Sequence, residues 1–174
     1  EQFVADPFSN DHEKDGGKYV GLPQITSTDD YLAVLVKLLQ FIRTGGVTSD
    51  GVVEWLMAEI DVGKGRARHL KRLFRAMDLY TIKHDVCEPT EAGNDLAENG
   101  SACPVVRGLI NAMEYFDKIL PKLVQDGVGA EDGLVAFLAE EHDEDVKRYK
   151  IRCRLKWLSG LGLGTFGKRK LTLS

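Results

Sequence analysis

The sequence predicts a mainly α-helical fold with small β-hairpins, built as two copies of one unit. Three observations predict it. Stretches with apolar residues at helical spacing alternate with glycine-containing breaks. Two strongly basic segments are each followed by a short stretch typical of a hairpin. Blocks of similar sequence recur in the same order, 81 to 84 residues apart.

The repeat consists of three matched blocks. Residues 34–47 (VLVKLLQFIRTGGV) resemble residues 115–128 (YFDKILPKLVQDGV), residues 50–56 (DGVVEWL) resemble residues 132–138 (DGLVAFL), and residues 77–82 (MDLYTI) resemble residues 161–166 (LGLGTF). Small loop insertions would explain the drift in the offset. We interpret the repeat as two related domains, residues 27–101 and 102–174, after a flexible arm or linker at residues 1–26. Chance similarity between amphipathic helices is the alternative.

Each copy is predicted to contain three helices and then a hairpin. In the first copy the helices begin at Thr28 or Asp29, at Thr48 or Ser49 and near Arg66, the strands cover residues 79–82 and 86–88, and Thr90 caps a last helix. In the second copy the helices cover residues 105–125, 131–140 and 144–159, and the strands cover residues 161–166 and 170–173. The third helix is the basic one in both copies. In the first copy, Lys64, Arg68, Lys71 and Arg75 are predicted to form its cationic stripe.

Charge is segregated along the chain. The net charge is −4, but 15 of the 23 Lys and Arg residues lie in three short segments that contain no acid. These bases are Lys64, Arg66, Arg68, Lys71, Arg72 and Arg75, then Lys147, Arg148, Lys150, Arg152, Arg154 and Lys156, and finally Lys168, Arg169 and Lys170. The rest of the chain carries 8 bases against 27 acids. Such a distribution concentrates positive potential locally while the remaining surface repels polyanions.

The order helix, helix, basic helix, hairpin is that of the winged helix, in which the third helix enters the major groove. Residues 89–100 (PTEAGNDLAENG) resemble the strand end and trailing helix common in that superfamily, with Pro89 where Leu is usual. The tandem arrangement is similar to the DNA-recognition regions of some restriction and nicking endonucleases. The fold class predicted is therefore two tandem winged-helix domains.

The resemblance implies roles for the basic residues. The first basic segment would lie on one recognition helix, the second on another, and the third at a wing tip, with Lys83 and His84 at the other wing. Two features depart from the pattern. Asp85 is in the first wing, and Asp143, Glu144 and Asp145 start the second recognition helix, where they could serve the helix dipole.

Other site chemistries have little support in the sequence. No nucleophile motif, phosphate-binding loop or dinucleotide fingerprint is present, so we predict no catalytic residue and no cofactor. His84 and Cys87 have no second ligand pair, which argues against a metal. Trp55 and Trp157 are predicted core residues, whereas His12, His69 and His142 are predicted to be at the surface.

The predicted function is double-stranded DNA binding, as the target-recognition module of a larger restriction, defence or regulatory protein. The chain begins at Glu1 without Met, so we expect a piece of a longer protein that holds any catalytic activity. Three irregularly spaced cysteines indicate a reducing, cytoplasmic location, and no apolar run is long enough for a membrane. The alternative is a winged-helix protein-interaction scaffold without DNA contact.

Overall fold

The structure is a computed structural model that describes Lys18, residues 21–142 and residues 145–174. These residues form eight helices and five strands. Residues 27–101, the first half, contain α1 (Tyr31–Arg43), α2 (Ser49–Ile60), α3 (Lys64–Ala76), β1 (Tyr80–Lys83), β2 (Val86–Pro89) and α4 (Glu91–Asn99). Residues 102–174, the second half, contain α5 (Cys103–Ala112), α6 (Phe116–Asp126), β3 (Val128–Ala130), α7 (Glu131–His142), α8 (Arg148–Gly160), β4 (Gly164–Gly167) and β5 (Lys170–Leu173). The prediction of a mainly helical fold with small antiparallel strand pairs is confirmed.

Local capping chemistry determines where the helices of the first half begin. Thr48 and Thr90 accept hydrogen bonds from the backbone N–H groups of Gly51 and Gly93, as the sequence predicts. The first helix is capped by Asp30, one or two residues later than predicted, through a 3.0 Å bond from the Ala33 N–H.

The first predicted helix of the second half is in fact two helices. The predicted helix over residues 105–125 is interrupted at residues 113–115, where Tyr115 has a φ of +73°. Met113, Tyr115 and Phe116 are all buried, and the break lets each of them reach the core. Apolar spacing continues on both sides of the break, so the sequence pattern did not reveal it. Likewise α8 begins at Arg148, after the predicted acidic start, whose Asp143 and Glu144 lie outside the described residues.

The strands form two small antiparallel sheets. In the first half β1 pairs with β2, and Thr48 makes an isolated bridge to Val86 on the same hairpin. In the second half the order is β3-β5-β4, so one further strand covers the edge of that hairpin. Both hairpins turn on two residues with positive φ, His84 with Asp85 and Lys168 with Arg169, a geometry suited to two-residue loops.

The two halves share one hydrophobic core, and Trp157 lies at their junction. Its ring packs edge-on against Tyr31 of α1, with centroids 4.9 Å apart, and against Phe74 of α3 at 6.3 Å. Its Nε1 donates a 2.8 Å hydrogen bond to the carbonyl oxygen of Pro23. The core position predicted for Trp157 is therefore confirmed, because the side chain is completely buried.

Three further sequence predictions meet a different outcome. Leu22 and Ile25 are buried, so residues 21–26 are a packed segment, while residues 1–17 and 19–20 of the predicted flexible arm lie outside the described residues. His69 was predicted at the surface but is buried on the core side of α3, whereas His142 is exposed. The core position predicted for Trp55 is met only in part, because its ring is half-buried and stacks on Phe41 with centroids 5.9 Å apart. His12, which was predicted at the surface, lies outside the described residues.

Replacing Gly93 by alanine is expected to destabilise the fold by about 1–3 kcal/mol, because the new methyl group would overpack the core. A Cβ at this position would collide with the backbone carbonyl oxygen of Leu79 and approach the Leu39 side chain to 2.9 Å. Urea denaturation measures the free energy of unfolding. Gly133→Ala is the matched control, since nothing lies within 4 Å of its Cβ position in α7. Equal stability of the two variants would contradict the close approach of α4 to Leu79.

Candidate nucleic-acid interface

Helix α3 presents a cationic stripe on the face opposite its apolar side. Lys64, Arg68, Arg72 and Arg75 are exposed and follow one another at steps of four, four and three residues, which places them on one side of the helix. The opposite side is buried through Ala67, Leu70, Leu73 and Phe74. We call these four exposed bases the α3 stripe. None of them takes part in the ion pairs seen among the described residues.

The other two bases of α3 are placed differently. Lys71 is half-buried, and its Nζ donates a 2.7 Å hydrogen bond to Ser49 Oγ at the start of α2. Arg66 is also half-buried, and its Nη1 bonds to Thr26 Oγ1 at 3.4 Å. The exposed stripe thus contains Arg72 where the sequence predicted Lys71. Arg66 contacts the packed segment at residues 21–26 through Thr26.

The bases at the start of α8 are largely held by acids. Arg152 makes two 2.9 Å hydrogen bonds to the two carboxylate oxygens of Glu131, a bidentate pair. Arg148 Nε lies 3.1 Å from Asp132 Oδ1, and Lys147 Nζ lies 2.8 Å from Asp145 Oδ2. Much of the positive charge that the sequence predicted for this helix is therefore neutralised within the chain.

Arg154 is buried, so it does not lie on the exposed basic face where the sequence prediction placed it. Its side chain is fully buried, with Nε donating to the Glu114 carbonyl oxygen and Nη1 to the Lys150 carbonyl oxygen. The guanidinium lies 5.2 Å from the ring centroid of Tyr115, within cation–π range. The physical reason is helical geometry, since bases at every second position of a helix spread over both its faces.

The hairpins differ in the availability of their bases. In the first hairpin Lys83 Nζ pairs with Glu88 at 3.1 Å, and Asp85 occupies the turn. In the second hairpin Lys168, Arg169 and Lys170 are exposed and enter none of the ion pairs within the described ranges. The second hairpin is therefore the more cationic of the two.

Glu131 is a buried carboxylate held in its charged form. It is 1% exposed at the first position of α7. The hydrogen bonds from Arg152 lower the pKa of this carboxyl, against the opposing effect of burial, and the charges of Arg152, Arg169 and Arg148 lower it further.

Glu131→Gln is expected to cost about 1–3 kcal/mol of stability at pH 7, because it weakens a charge-assisted hydrogen-bonded pair. A carboxyl whose pKa is lowered on folding stabilises the fold above its unfolded pKa and loses that contribution as pH falls through its folded pKa. The difference in the free energy of unfolding between wild type and variant should therefore become smaller in acid. Urea denaturation at pH 7 and at about pH 3 measures it. Glu140→Gln, an exposed acid of the same helix, should show little difference at either pH, and a pH-independent gap for Glu131→Gln would contradict the assignment.

Comparison with known protein families, curated proteins and solved structures found no match. Among the described residues no helix is long and apolar enough to cross a membrane, and no group of His, Cys, Asp and Glu side chains is arranged to hold a metal ion.

Proposed function

We propose that this chain is a double-stranded DNA-binding module of two tandem winged-helix domains, with α3 as its principal recognition helix. The observation that carries the proposal is the α3 stripe, four exposed bases opposite a buried apolar face. Cationic side chains on a rigid helix bind phosphates by releasing counterions, and arginine also forms bidentate hydrogen bonds to guanine.

The element order supports the winged-helix assignment. Each half has a helical segment, a second helix, a third helix and a hairpin, in that order. The first residue of the second helix is tied to the hairpin turn in both halves, by Ser49 N–H to Asp85 O at 3.2 Å and by Glu131 N–H to Arg169 O at 2.9 Å. This arrangement gives a winged helix its shape, with the hairpin beside the helix that enters the major groove.

The dimensions and charges of α3 suit a major groove. From Lys64 to Arg75 the stripe covers about 16 Å of helix, which corresponds to about five base pairs of duplex. We assign base contacts to the stripe arginines and backbone contacts to Lys168, Arg169 and Lys170 of the second hairpin. The acidic remainder of the chain disfavours other approaches of a polyanion, so the field orients the duplex.

The second candidate function is a winged-helix protein-interaction scaffold without direct DNA contact. It is favoured by α8, where acids neutralise Arg148 and Arg152 and the Tyr149 side chain is 58% exposed. A mainly apolar interface would depend weakly on salt, whereas DNA binding depends on it steeply.

Selection from a random duplex pool, methylated and unmethylated, tests the proposal and supplies the target site. The selected duplex should bind with an affinity that falls as salt rises, with a log–log slope of about −0.9 per phosphate contact. An empty selection and no duplex binding at low salt would remove DNA binding and leave the scaffold function.

A further inference from the structure

The first residues of α2 and α7 occupy the same position in the two halves. Ser49 begins α2 and Glu131 begins α7, and each backbone N–H donates to the carbonyl oxygen of the second residue of its hairpin turn. Each side chain also accepts a hydrogen bond from a base of the following helix, Ser49 from Lys71 and Glu131 from Arg152. The difference is chemical, since a neutral hydroxyl stands in the first half and a carboxylate in the second.

Positions on α3 and α8 correspond at a constant offset, at which three of the four stripe bases match a base of α8 and Arg75 matches Ser159. Helix α3 begins at Lys64 and α8 begins 84 residues later at Arg148, the offset that also relates the two hairpin turns. Arg152 therefore takes the place of Arg68, and Lys156 that of Arg72. Arg68 enters no ion pair among the described residues, whereas Arg152 is bonded to both carboxylate oxygens of Glu131.

We propose that Glu131 is the specificity-determining residue that prevents α8 from binding DNA, so that α3 and not α8 serves as the recognition helix of the chain. This inference rests on the DNA-binding function proposed above. Ser49 leaves the corresponding charge of α3 available, while Glu131 acts as a built-in counter-ion for α8.

The geometry of the pair explains why a duplex cannot displace Glu131. A bidentate pair uses the same two N–H groups with which an arginine would bind a phosphate or the edge of guanine. A duplex that took Arg152 would have to break both charge-assisted hydrogen bonds between Arg152 and Glu131. Asp132 adds a second counter-ion through its contact with Arg148.

Glu131→Ser, which installs the residue of the first half, is the direct test. Freed Arg152 should raise affinity for nonspecific duplex severalfold at low salt and steepen the log–log salt slope by about 0.9, one further phosphate contact. The matched control is Glu131→Ser with Arg152→Ala, in which the gain should disappear.

The reciprocal change, Ser49→Glu, should weaken duplex binding, because the new carboxylate would pair with bases of α3. Glu131→Gln, which keeps the shape of the side chain, provides a second variant and should give a smaller gain. Unchanged affinity and slope in both folded Glu131 variants would overturn the inference, as would a gain that survives removal of Arg152. If the wild-type protein binds duplex, an overturned inference about Glu131 leaves the proposed function intact. If the wild-type protein does not bind duplex, the proposed function itself is removed.

Discussion

Simultaneous replacement of Arg68, Arg72 and Arg75 by alanine is expected to abolish most duplex affinity while leaving the fold intact. The three side chains are exposed, and alanine preserves the helix. Loss of up to three phosphate contacts should flatten the log–log salt slope by up to about 2.7, at 0.9 per contact. Fluorescence anisotropy with the selected duplex at several salt concentrations measures both quantities.

The matched control for this variant is Lys37, Lys118 and Lys122 to alanine, which removes three charges from other helices. Each of these lysines already pairs with an acid, Glu59, Glu141 and Asp126 respectively. Their removal should change duplex affinity little, because these lysines lie on α1 and α6 and not on the α3 stripe. It should also leave the fold intact, since exposed ion pairs contribute little to stability. Equal losses of duplex affinity in the two triple variants would show that only net charge matters. Unchanged duplex affinity in the stripe variant would favour the protein-interaction scaffold instead.

Trp157→Ala is expected to produce the largest loss of stability, on the order of 3–5 kcal/mol, because it removes a fully buried aromatic side chain. The ring joins Tyr31 and Phe74 of the first half to α8 of the second, and its N–H bonds to Pro23. The free energy of unfolding from urea titration is the measurement. Below its melting temperature the variant should bind DNA with the affinity of the wild type.

Two variants calibrate that result. Trp157→Phe keeps an aromatic ring but loses the hydrogen bond to Pro23, and should cost about 1 kcal/mol from that bond in addition to the change in packing. Trp55→Ala removes a half-buried ring stacked on Phe41 and should cost less than Trp157→Ala. If Trp55→Ala were the more damaging change, Trp157 could not be the centre of the junction between the halves.

The capped starts of α2 and α4, the hairpins and the two-faced character of α3 could be predicted from sequence because they depend on near neighbours. Thr48 and Thr90 cap helices through bonds to residues three positions ahead. The charged and apolar sides of α3 follow from a period of 3.6 residues and need no knowledge of the partner surface. The internal repeat added the expectation that the second half would follow the same order, but the second half has two helices where one was expected and a further strand, β3.

Which bases are available was decided by tertiary structure. Arg152 donates hydrogen bonds to Glu131, which lies 21 residues earlier in the chain. Arg154 bonds to the carbonyl oxygen of Glu114, 40 residues earlier, and Trp157 to that of Pro23, 134 residues earlier. The alternating basic sequence of α8 looked like a binding face, yet one of its members is buried and another is neutralised. Ion pairing and burial depend on distance in space, and the spacing of residues along one helix contains no information about the elements that pack beside it.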